Sequence, residues 1–111
     1  MDANMKIFDH LTSKGVEVHF PGIKSGKCEA PYVVIKDMGQ TGNSYNGSKI
    51  IHMLIYTPQV SYITMINLRD QIKMFMDELS YIKTGSETPV IIEDDIKAFS
   101  SSIEYQVFKK N

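Results

Sequence analysis

The stretch Tyr62–Leu79 places Met65, Leu68, Ile72, Phe75, Met76 and Leu79 at i, i+3, i+4 spacing, which makes one side of a helix apolar along its length. Such a stripe has to be buried. Each large side chain that leaves water contributes roughly 1.5–3 kcal/mol before ordering costs. The rest of the chain must therefore supply a surface for this helix to cover. Ser61 suits the N-cap position, where its hydroxyl takes a backbone N–H left unpaired in the first turn, and Pro58 closes the segment before it.

Alternating segments predict that surface. Tyr32–Lys36, with Val33-Val34-Ile35 at its centre, reads as a strand covered on both faces. Lys49–Thr57 reads as a second, with Ile51, Met53 and Ile55 on one face and His52, Leu54 and Tyr56 on the other. Val16–Phe20 and Ser101–Phe108 alternate in the same way, and Val90–Ile92 reads as a short strand before the acidic turn Glu93-Asp94-Asp95. Ala3–Lys14 reads as a short helix, with Ile7, Phe8 and Leu11 on one face and Gly15 as its stop. Thr84-Gly85-Ser86 ends the helical region. Asp37–Ser48 carries Gly39, Gly42, Asn43, Asn46 and Gly47, too long for a two-residue turn. It is expected to be a mobile hairpin loop at about 37–48, of a length that is usually functional or disordered.

The order α-β-β-β-α-β-β predicts a single α+β domain over residues 1–111, with a mainly antiparallel sheet, a long helix packed across it and a short N-terminal helix. At 111 residues the chain can bury one core without staples. A formal net charge of −1 gives no general drive toward nucleic acid or an anionic membrane. No apolar run approaches the roughly 18–20 residues of a membrane span, and the first residues lack the layout of a signal peptide. A single cysteine, Cys28, excludes an internal disulfide framework, so synthesis in a reducing cytoplasm is expected.

The reactive residue types do not assemble into a catalytic pattern. Gly22-Ile23-Lys24-Ser25-Gly26-Lys27-Cys28 is one residue short of a phosphate-binding loop, has Cys28 where Ser or Thr would meet magnesium, and is followed by Pro31 and a strand rather than a helix. Cys28 has no local histidine signature of a thiol nucleophile, and His10, His19 and His52 have no paired metal-ligand spacing. Glu93-Asp94-Asp95, even with Asp37, lacks the alternating ligands and glycine of a calcium loop. The expectation is therefore no catalytic residues, no cofactor and no metal. Apolar residues opposite the core stripe carry more information. Ile63, Ile66 and Met74 lie there among Asp70, Lys73 and Asp77, and with the neighbouring loop they mark a candidate protein-contact face.

The layout of N-terminal helix, Gly15-Val16 strand entry, Tyr32–Ile35 strand, Gly-rich loop, Ile51–Tyr56 strand with Pro58, long helix and Ser101–Phe108 strand resembles the tail terminator and tail-completion proteins of long-tailed bacteriophages and related contractile particles. The resemblance covers nearly the whole chain and rests on element order and hydrophobic pattern. It implies a protomer of a homo-oligomeric ring, commonly a hexamer, at the head-proximal end of the tail tube. There the ring stops tube growth and offers a docking surface to the head connector or neck protein, and DNA passes through the lumen without specific binding. The implied location is the virion tail or neck, after synthesis in a bacterial host's cytoplasm. The implied contact positions are the edge strands and the loop from Gly39 through Gly42 and Tyr45 to Gly47. The acidic 93–95 turn is a candidate for the lumen wall. Two other readings stand beside it: another neck or minor capsid component, and a small-ligand enzyme or regulatory domain.

Overall fold

Ile7 and Leu11, one helical turn apart, are both fully buried, and they anchor the first element of a fold whose computed structural model describes residues 3–41 and 48–108. Helix α1 spans Ala3–Ser13. It ends where Gly15 adopts φ +85°, the left-handed conformation that glycine takes at least cost. The elements that follow are β1 (Val18–His19), β2 (Tyr32–Thr41), β3 (Ser48–Pro58), α2 (Tyr62–Asp77), β4 (Ile82–Glu87), β5 (Ile91–Glu93), a 3-10 turn at Asp94–Ile96 and β6 (Ala98–Phe108).

The expectation of a mainly antiparallel sheet with a long helix packed across it is overturned. The fold is α+β with two helices, of 11 and 16 residues, and a six-stranded mixed sheet. The sheet order is β1-β2-β3-β6-β4, with β5 also paired to β6. β1 runs parallel to β2, with Val18 beside Val33 and His19 beside Val34. The reason lies in the connection. Residues 20–31 are long enough to carry the chain back to the starting end of the sheet, and parallel pairing needs about a dozen residues of crossover. α2 stops at Asp77, short of Leu79, and shares the covered face of the sheet with α1.

That covered face is the main core. Val33 and Ile35 of β2, Ile51, Met53 and Ile55 of β3, and Ile103, Tyr105 and Val107 of β6 meet Ile7 and Leu11 of α1 and Met65, Ile72 and Met76 of α2. Leu68, Phe75 and Leu79 pack at its margin, half-buried. Ser61 caps α2, accepting from the Thr64 N–H at 3.3 Å. The opposite face carries a smaller cluster, in which Cys28, Tyr32, Val34 and Ala98 are buried against Leu54, Tyr56 and Ile96. The loop after β1 is held to this face by the Cys28 N–H, which donates to the Ile96 carbonyl at 2.7 Å.

Two further differences follow from pairing rather than side-chain pattern. β4 occupies Ile82–Glu87, where the sequence reads as the end of the helical region; its backbone is held by β6, from Ile82 opposite Val107 to Glu87 opposite Ile103. β2 continues to Thr41 and β3 begins at Ser48, with a register irregularity between Asp37 and Gln40, so both ends of the expected 37–48 loop are strand, and residues 42–47 lie outside the described residues.

Candidate functional site

The residues with chemical potential are dispersed and mutually satisfied. Cys28 is buried, with its Sγ 3.4 Å from the Ala30 carbonyl, and burial pushes its thiol above the ordinary value. That is the opposite of what a thiolate nucleophile needs. Each histidine stands beside a different carboxylate. His10 Nε2 is 3.0 Å from Glu78 Oε1, His19 Nε2 is 2.7 Å from Glu17 Oε2, and His52 Nε2 is 3.4 Å from Glu104 Oε1. The His19 hydrogen bond, with help from Lys24, holds the Glu17 carboxyl below its usual range. Among the described residues no group of three His, Cys, Asp or Glu side chains is placed to hold a metal ion.

The glycine- and lysine-bearing loop after β1 forms no phosphate cradle. Lys24 turns back to Glu17 at 3.4 Å and lies over the Tyr32 ring, 5.4 Å from its centroid. Asp37 and the acidic turn belong to different ends of the sheet. Asp37 sits in register with Ile51 and Tyr105, whereas Glu93 pairs with Ala98. The Asp37 carboxylate accepts from the Asn4 amide at 2.9 Å and the Gly39 N–H at 2.8 Å, with Lys49 at 3.1 Å. These contacts, Asn4 first, hold it below its usual range.

The candidate contact residues fall in two places. On α2, Ile63 and Met74 are 62% and 67% exposed, while Ile66 is half-buried. Gly39 lies within β2 at φ +90°, on the bulged length between Asp37 and Gln40. Gly42, Tyr45 and Gly47 lie outside the described residues.

A more concentrated apolar surface sits where the sequence pointed to none. Ile91 and Ile92 of β5 are 53% and 58% exposed. Ile92 pairs with Phe99, and Phe99 meets Tyr62 edge-on with ring centroids 6.0 Å apart. Tyr62 and Ile63 are themselves exposed, so an apolar strip runs from Ile92 onto the start of α2, while Ile91, opposite Ser100, faces the other side of the sheet. The signal available beforehand was Val90-Ile91-Ile92, an apolar triplet after Pro89 without alternation. A strand this short at a sheet edge cannot cover both of its faces.

Both lateral edges of the sheet lack a partner strand among the described residues. One edge is β5 followed by β4; the other is β1 followed by the length of β2 beyond His19. No helix among the described residues is long and apolar enough to cross a membrane. No protein-family model matches the sequence, and no curated protein matches it.

Proposed function

We propose that this chain is a structural assembly protein, a tail terminator whose copies form a ring, commonly of six, at the head-proximal end of a phage-type tail tube. In this reading the ring stops tube growth and presents a surface to a head connector or neck protein. DNA passes through its lumen without specific recognition, and the chain acts without catalysis or cofactor. The observation that carries the reading is the pair of strand edges that have no partner strand among the described residues, on opposite sides of one sheet, one of them bearing exposed Ile91 and Ile92. A cyclic ring needs two different patches on each subunit, and an unpaired edge is a ready template for a neighbour's strand. The dispersed, paired state of Cys28 and the histidines gives the enzyme reading no comparable support.

The test is the phenotype of the encoding particle when this chain is removed. Overlong tail tubes support the terminator role. Tails of normal length that fail to join heads identify a joining or neck protein. Particles unchanged in both respects refute the assembly role.

A further inference from the structure

The two helices cover one face of the sheet and leave the other to the loop of residues 20–31. That loop crosses the open face without filling it. Two hollows, of about 300 and 220 Å³, remain on the sheet, and Leu54 and Tyr56 line both. The two hollows therefore join into one trough.

The register gives the trough its direction. Val34, Leu54 and Ser102 form one cross-strand row, and Tyr32, Tyr56, Ser100 and Ile91 form the next. Side chains paired in this way share a face of the sheet, so the trough runs across β2, β3, β6 and β5. Three interstrand spacings make it roughly 14 Å long. Its floor is apolar: Tyr32 and Tyr56 stack with ring centroids 5.0 Å apart, and Leu54 lies in the neighbouring row. Phe20 and Ile96 border the first hollow, and Ile91, 53% exposed, borders the second.

The two ends differ in charge. Lys36 of β2 lines the first hollow, exposed and without an ion pair among the described residues. Lys24, in the same hollow, is already engaged by Glu17 at 3.4 Å, so Lys36 supplies the available cation. Glu93 of β5 lines the second hollow. Its carboxylate accepts from the Ser100 hydroxyl at 3.2 Å and has no ion pair among the described residues. Neither hollow alone exceeds the small end of ligand cavities, roughly 300 Å³. Joined, they suit an extended chain, which advances about 3.3 Å per residue.

From this geometry we propose that the open face of the sheet binds an extended segment of a partner protein, about four to five residues long, with an acidic side chain against Lys36, a basic one against Glu93 and apolar residues between them on Leu54 and Tyr56. The contact is made by side chains on the face of the sheet, not by the backbone of its edges. It does not depend on the ring reading.

The experiment follows backbone amide shifts of the full chain by NMR as the end-blocked peptide Lys-Leu-Val-Leu-Glu is added in excess. The comparison ligands are the same-sign peptides Glu-Leu-Val-Leu-Glu and Lys-Leu-Val-Leu-Lys, and N-acetylleucine amide. The variants are Lys36→Glu and Lys36→Glu/Glu93→Lys; neither residue belongs to the core, so both variants are expected to keep the unaltered chain's circular dichroism. The expected result is a set of shifts centred on Leu54, Tyr56 and Ser100, with the mixed-charge peptide bound at least about threefold more tightly than either same-sign peptide. Lys36→Glu should remove that margin. The double exchange should restore it, because the peptide can then lie in the reverse direction. No shifts on this face, or equal binding of all three peptides, would overturn the proposal. Equal shifts from N-acetylleucine amide would also overturn it, by identifying a small-molecule hollow. Shifts at Leu54 and Tyr56 that grow with protein concentration alone would assign the face to a second copy and overturn it in the same way.

Discussion

The Arg69 guanidinium on α2 donates to the Ser101 hydroxyl on β6 at 3.0 Å, and the same Nη1 donates to the Thr88 carbonyl at 3.2 Å. Ser101, only 3% exposed, also donates to that carbonyl at 2.9 Å. One cation therefore ties the link between β4 and β5 to the helix. Arg69→Ala leaves these acceptors short of a donor and is expected to cost about 1–3 kcal/mol. Amide exchange reads it out locally: the Thr88 N–H, which donates to the Ser102 carbonyl at 2.9 Å, should lose protection before the β3–β6 ladder does.

Gly85 is held close to β6. A Cβ at this position would stand 3.0 Å from the Glu104 carboxylate and 3.1 Å from the Glu104 carbonyl oxygen. The carboxylate can swing away, but the backbone oxygen cannot. Gly85→Ala should therefore push β4 off β6 and lower stability by about 1–3 kcal/mol, measured by urea denaturation. An unchanged midpoint would contradict this close approach.

Tyr105 is fully buried on the covered face, and burial, reinforced by Asp77 and Glu87, drives its phenol far above the ordinary value near 10. Burial raises Tyr32, Tyr56 and Tyr81 in the same direction. A group whose folded value is raised contributes stability that is complete below its unfolded value and is lost as pH climbs toward the folded one. Stability should therefore fall as pH rises above about 10. In a spectrophotometric titration, the Tyr105 phenolate should appear only with unfolding.

Ser61→Ala tests the start of α2. The cap hydrogen bond is 3.3 Å long, so the loss should lie toward the lower part of the roughly 0.5–2 kcal/mol range for N-caps. A thermal melt of this variant beside the unaltered chain measures it.

Much of this fold is legible in the sequence because most elements carry their own pattern. α1, the Ser61 cap and the alternation of Ile51, Met53 and Ile55 all follow from local spacing. What is not legible depends on partners distant in the chain. β4, Ile-Lys-Thr-Gly-Ser-Glu, has no alternation and is almost wholly exposed, so only its pairing with β6 makes it a strand. β1 is two residues long, and its parallel sense depends on where residues 20–31 carry the chain. That one pairing turns the expected mainly antiparallel sheet into a mixed one. The candidate surface divides in the same way. Exposure of Ile63 and Met74 follows from helical periodicity. The strip at Ile92 depends on Phe99 and Tyr62, which join it only in three dimensions.

Imaging the purified chain by negative stain, with native mass on the same sample, tests the central claim most directly. The expected result is closed rings of one fixed copy number, six on the family resemblance. A monomer that persists over the whole concentration range, with no rings in the images, would contradict it.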